Sequence, residues 1–158
     1  MPRIKLQEQP RYEFEYEVEV QPRDVNTAGH LGHETLIALV HSARANLLRS
    51  LGLSELDLGD SRTGVIMFDL AVNYRGEGFL FDALRIESHV GEFTRTSFRL
   101  FYRVAKGDKI LALVETGFLA FNYSDRKVVQ VPQTLIKALD QYLATHHLFP
   151  LPSGERGG

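Results

Sequence analysis

The sequence predicts an α+β fold: a curved antiparallel sheet wrapped around one long central helix, with a further helix at the C-terminus. Three observations carry this. An early stretch alternates apolar and acidic residues. The apolar spacing then changes abruptly to threes and fours. Four further strand patterns follow before helical spacing returns near the end of the chain.

Residues 1–10 are polar and expected to be flexible. Tyr12, Phe14, Tyr16, Val18 and Val20 alternate with Glu13, Glu15, Glu17 and Glu19, so this segment is a strand with one apolar face, ended by Gln21-Pro22. From His33 the period lengthens. Leu36, Leu39, Val40, Ala43, Leu47 and Leu51 mark one face of a helix, Ile37 and Leu48 widen it, and Gly52 follows as a C-cap. So wide an apolar face requires something to wrap it, and the strands supply that.

Those strands are expected at 64–75, 81–90, 93–105 and 110–123. Lys106-Gly107-Asp108-Lys109 has hairpin-turn chemistry, and Ser124-Asp125-Arg126-Lys127 is a second turn before a short Val128-Val129 segment. Pro132 opens the terminal helix, with Leu135, Ile136, Leu139 and Leu143 on its face. Residues 11–147 form a single expected domain, and 148–158 an expected flexible tail rich in Pro, Ser and Gly. A curled sheet around one helix leaves open edges, which a two-fold axis can pair, so a homodimer or homotetramer is expected.

Composition narrows the function. A net charge of -2 over 158 residues argues against nucleic acid as a partner. No apolar run is long enough for a bilayer span, and none resembles a signal peptide, so the expectation is a cytoplasmic protein without a membrane partner. The absence of cysteine removes disulfides, thiolate nucleophiles and Cys-ligated zinc.

Chemistry concentrates in Arg23-Asp24-Val25-Asn26-Thr27-Ala28-Gly29-His30-Leu31-Gly32-His33-Glu34. Two carboxylates, an amide and two imidazoles share a glycine-bearing turn that leads into a helix N-terminus, where backbone N–H groups face outward.

That turn, in that element order, resembles the hot dog fold thioesterases, most closely the 4-hydroxybenzoyl-CoA thioesterase-like group. Their first motif runs Asp-x-Asp-x-x-Gly-His, followed by a hydrophobic residue and Asn-Asn. Asp24 to His33 occupies it here, with Ser42-Ala43-Arg44 on the helix that follows. Val72-Asn73-Tyr74 through Phe81-Asp82-Ala83-Leu84-Arg85-Ile86 is similar to the family's later pattern, and Arg95-Thr96-Ser97-Phe98 to its nucleotide-contacting turn. The resemblance spans residues 12–139. It implies an acyl-CoA thioesterase with its site at a dimer interface, acting on a CoA thioester with no cofactor. One departure stands out. The second acid of the motif, the family's catalytic carboxylate, is Asn26, and an amide is neither nucleophile nor base at neutral pH. The Asn-Asn pair is replaced by Gly32-His33.

The expected catalytic positions are Asn26, His30, Glu34 and Asp24. Asp24 is either a carboxylate of the site or an Asx-turn residue. Asn26 holds a carbonyl or water, or satisfies turn backbone. His30 is a general acid/base or a structural imidazole. Glu34 suits a helix N-terminus with no function at all, yet it is the preferred candidate to activate water now that the family's carboxylate is missing. Gly29, Gly32, His33, Asp69 and Arg95 are the expected substrate contacts. Gly29 serves the turn backbone, Gly32 permits close approach, and Asp69 either faces solvent or turns toward a site. The N–H groups at Gly29-His30 and at the helix start are the expected oxyanion hole. No metal is expected, because His30 and His33 lack the i,i+4 register of a helical zinc pair. Two other functions fit the residues less well. One is a hot dog enoyl-CoA hydratase, whose Asp-x-Asn-Pro-x-His motif is broken by Thr27. The other is a non-catalytic acyl-CoA or acyl-carrier binding protein.

Overall fold

A computed structural model describes residues 3–148 of the chain. In chain order it holds β1 (Phe14–Glu19), a 3₁₀ turn (Pro22–Asp24), α1 (His33–Ser50), β2 (Thr63–Tyr74), β3 (Ala83–Gly91), β4 (Ser97–Lys106), β5 (Lys109–Asn122), β6 (Lys127–Val128) and α2 (Gln133–Thr145). The strands make one six-stranded antiparallel sheet in the order β1-β3-β4-β5-β2, with β6 pairing β5. β1 lies antiparallel to β3, from Phe14 opposite Ser88 to Glu19 opposite Ala83. Apart from Leu148, the expected flexible tail lies outside the described residues.

Two compact units are assembled from separated stretches of chain. The first comprises Met1–Arg44, Ala71–His89 and Phe101–Glu115. Its alternating β1 buries Phe14 and leaves Glu15, Glu17 and Glu19 exposed, as period two requires. The first turns of α1 bury Leu36, Leu39, Val40 and Ala43, and the strands bury Leu84, Ile86, Tyr102, Val104, Leu111 and Leu113. Arg44 is buried in the same unit, its Nη1 3.4 Å from the Tyr102 hydroxyl. Residues 3–10, expected to be flexible, are tied down in part. Leu6 is buried and its N–H donates to Asn73 Oδ1 at 2.7 Å, while Asn73 Nδ2 donates to the Ile4 carbonyl at 2.8 Å. The Lys106–Lys109 hairpin forms as expected, with Gly107 at φ +57° supplying the left-handed residue the turn needs.

The second unit comprises Ala45–Leu70, Val90–Leu100 and Thr116–Gly158. Phe98 stacks between Phe93 and Phe118 with ring centroids 5.6 and 5.8 Å apart. α2 buries Leu135, Leu139 and Leu143, one face at four-residue spacing. Thr134 at its start donates to the Leu58 carbonyl at 2.6 Å. Just past the end of α1 at Ser50, Gly52 sits at φ +74°, and the Leu53 N–H closes back onto the Leu48 carbonyl at 2.8 Å.

Candidate active site

The site is built entirely within the first unit, starting where β1 ends. The Pro22–Asp24 turn is held by Asp24, whose Oδ2 accepts the Gln21 N–H at 2.8 Å. Asp24 is buried, with Arg23 Nε 4.0 Å from its other oxygen. Of the two roles open to it, this geometry serves the turn.

Asn26 organises the next turn. Its Oδ1 accepts the N–H of Ala28 at 3.0 Å and of His30 at 3.2 Å, and its carbonyl accepts the Gly29 N–H at 2.9 Å. Two N–H donors fix which end of the amide points inward. Gly29 sits at φ +81°, a conformation that favours glycine. The Leu31 N–H donates to the Gly78 carbonyl at 2.8 Å, and the Gly32 N–H to the Asp24 carbonyl at 3.2 Å. Backbone accounting therefore corrects one expectation. The Gly29 and His30 N–H groups are already committed to Asn26 and do not form an oxyanion hole. The first intrahelical bond of α1 is donated by Leu36 to the Gly32 carbonyl at 3.0 Å. The N–H groups of His33, Glu34 and Thr35 precede it and have no intrahelical acceptor.

The segment after β2 is stitched to this turn. His30 bridges to Phe79 in antiparallel fashion, and their rings lie 4.9 Å apart. Glycine makes the approach feasible. A Cβ at Gly78 would come within 3.3 Å of Leu31, and one at Gly76 within 3.0 Å of Lys109 Cε. Between those glycines, Glu77 places Oε1 3.1 Å from His30 Nδ1. The segment is closed by Asp82, whose Oδ2 accepts the Phe79 N–H at 2.8 Å while Oδ1 lies 2.8 Å from Lys106 Nζ. The Lys106 hydrogen bond, aided by the Phe79 N–H and opposed by desolvation, holds the Asp82 carboxyl below the usual carboxylate range.

These elements enclose a cavity of about 530 Å³, with Asn26, His30, His33, Tyr74, Glu77 and Leu111 among its walls. The His33 and Tyr74 rings meet edge-on at 4.6 Å. Partial desolvation raises the Tyr74 phenol above its ordinary pKa. Apolar walls beside a few convergent polar groups are the usual make-up of a small-molecule site.

The family model described as the thioesterase-like superfamily matches residues 20–139. The chain belongs to the thioesterase-like superfamily. Its fold is the hot dog, and its class is thioester hydrolase. Among solved structures, a 1,4-dihydroxy-2-naphthoyl-CoA thioesterase from Synechocystis is similar at TM-score 0.72 and 19% identity, over 80% of this chain and 95% of that one. A gentisyl-coenzyme A thioesterase is similar at TM-score 0.69 and 19% identity, over 78% and 98%. A hypothetical protein from Staphylococcus aureus in complex with CoA gives TM-score 0.75 and 15% identity, over 89% and 90%. No curated protein matches the chain.

Within this superfamily fold, the cavity gathers Asn26, His30, Gly32 and His33 of the expected site, with Gly29 shaping the turn beneath. A Cβ at Gly32 would meet only Thr35 Oγ1, at an ordinary 3.6 Å, so the chain's own packing does not demand glycine there. Asp24 and Glu34 are not among the lining residues, and Glu34 is exposed on the first turn of α1. Asp69 and Arg95 belong to the second unit. There Asp69 Oδ2 accepts from Arg99 Nη1 at 3.0 Å across Gly117, where a Cβ would come within 2.6 Å of Asp69. The Arg95 carbonyl accepts the Val131 N–H at 2.8 Å. Among the described residues lining the cavity, Glu77 is the charged one that the sequence did not single out. The signal for Glu77 was its place between two glycines in a short loop, which marks close backbone approach. Among the described residues no group of three His, Cys, Asp or Glu could hold a metal. No described helix is long and apolar enough to cross a membrane.

Proposed function

We propose that the protein is an acyl-CoA thioesterase that releases a free acid and CoA at this cavity. The observation that carries the reading is the convergence, in one cavity, of the Asn26–His33 turn and the start of α1, where hot dog thioesterases carry their motif. The thioester carbonyl would lie against the His33 N–H and the Asn26 amide, with His30 beside the attacking water. The acyl group would extend along Leu31, Leu36, Tyr74 and Leu111. Lys109, whose Nζ would lie 3.6 Å from a Cβ added at the wall residue Gly76, would supply positive charge beside the cavity for the CoA phosphates. The aromatic thioesters named for two similar structures and the CoA bound in a third support a CoA-linked substrate. Should His30 not serve as the base, Glu34 and Asp24 are the carboxylates of the turn left to activate water, Glu34 from its exposed position toward a second protomer.

A homodimer or homotetramer completes the reading. β2 is an edge strand of the sheet, and Ile66, Met67, Phe68 and Leu70 on it are 39–50% exposed. A cytoplasmic location is consistent with a chain that uses no disulfide. The reading is tested by thiol release over a panel of aliphatic and aromatic acyl-CoAs. Release from at least one class supports it. Hydration of an enoyl-CoA without thiol release, or binding of CoA esters without turnover, contradicts it in favour of the hydratase or the carrier.

A further inference from the structure

We propose that His30 is the base that deprotonates the attacking water, and that Glu77 is the positioning residue that makes it one. This deepens the thioesterase reading and rests on it. With Asn26 in place of a carboxylate, some other group must take the proton. Among the described residues lining the cavity, Glu77 is the one carboxylate. It reaches the cavity beside His30, with its Oε1 3.1 Å from Nδ1. That contact is framed on both sides. The Leu31 N–H bond to the Gly78 carbonyl and the His30–Phe79 bridge fix the two backbones. Gly76 and Gly78 let the segment carrying Glu77 press against Leu31 and Lys109.

A carboxylate at Nδ1 selects the imidazole tautomer with its proton there, which leaves the Nε2 lone pair to accept. Glu77 then also stabilises the imidazolium that forms. Water attacks the thioester carbon as His30 Nε2 takes its proton, giving a tetrahedral oxyanion. The oxyanion collapses, the C–S bond breaks, and the thiolate receives the proton from Nε2. Acyl thioester and water become acid and thiol, and the imidazole returns neutral. The Glu77 side chain is 63% exposed, so water screens the pair, and its main effect is orientation.

The test uses the full chain and the acyl-CoA it turns over fastest. Glu77→Ala is expected to lower kcat by about tenfold to a hundredfold with KM within about twofold, on the scale of a mispositioned base. Glu77→Asp should restore part of the loss. His30→Ala combined with Glu77→Ala should be no slower than His30→Ala alone, because the two act as one unit. Imidazole ¹⁵N spectra should show His30 with its proton on Nδ1 in the unaltered chain and on Nε2 in Glu77→Ala. Unchanged kcat in Glu77→Ala, multiplying losses in the double variant, or the Nε2–H tautomer in the unaltered chain overturns the proposal. Failure of the unaltered chain to release thiol from any acyl-CoA would tell against the thioesterase reading instead, and the tautomer would still decide the pairing.

Discussion

The side-chain oxygen of Asn26 accepts the backbone N–H of His30 at 3.2 Å, and the same oxygen accepts the N–H of Ala28. One acceptor thus fixes the turn that carries the imidazole. Asn26→Ala removes it and should cost about 1 kcal/mol of stability and about tenfold or more in thiol release. Asn26→Asp retains an acceptor oxygen and should keep the unfolding midpoint of the unaltered chain. Thermal melts and steady-state assays check both. Full activity and an unchanged midpoint in Asn26→Ala would contradict this role.

Asp24 and Glu34 should separate from the chemistry. Asp24 is buried and caps the 3₁₀ turn through the Gln21 N–H, so Asp24→Ala should lower stability by about 1 kcal/mol and the unfolding midpoint by a few degrees. Its kcat should follow only the folded fraction. Glu34→Gln, on an exposed helix start, should retain most of the turnover. A folded but inactive Glu34→Gln would place the base on that helix.

The segment that carries Glu77 should loosen in acid. Asp82 accepts the Phe79 N–H and pairs with Lys106, and its carboxyl is held below the usual range chiefly by that lysine. A depressed carboxyl contributes stability above its unfolded pKa of about 4, and loses it as pH falls through the folded value. The gap in unfolding midpoint between the unaltered chain and Asp82→Asn should therefore be constant from about pH 5 to 7 and close at lower pH. A gap that persists at full size into strong acid would contradict the assignment.

What the sequence made legible follows from what is local. Period two placed β1, and the change to helical spacing at His33 placed the start of α1, because each pattern is the signature of a single element's buried face. Gly52 and the Lys106–Lys109 turn were readable for the same reason: each backbone requirement belongs to one short segment. The anchoring of Leu6 by Asn73 joins residues 67 apart and left no local trace. Asp69 was ambiguous because alternation gives two faces without saying which is covered, and its partner Arg99 lies on another strand. At the site, the turn residues were legible as a motif. That Asn26 uses up the Gly29 and His30 N–H groups was not, since that depends on how the turn folds back on itself. Glu77 reaches His30 only because β2 delivers its loop to the turn, a consequence of topology that spacing does not contain.

The exposed edge strand should govern assembly. Phe68 is 50% exposed on β2, beside Ile66, Met67 and Leu70. Sedimentation should find a dimer or larger assembly, and Phe68→Glu should shift it toward monomer while retaining the circular dichroism of the fold. A monomeric unaltered chain, or a Phe68→Glu variant with undiminished mass, would contradict the proposed interface.

The central claim is that the cavity at the Asn26–His33 turn hydrolyses a CoA thioester with His30 beside the attacking water. Its most direct test is thiol release by the unaltered chain against His30→Ala, on the same acyl-CoA and at matched folded fraction. The account predicts turnover by the unaltered chain and a loss of about a hundredfold in kcat for the variant, the usual scale for a missing base. Equal turnover by both, or CoA-ester binding without thiol release by either, would contradict it.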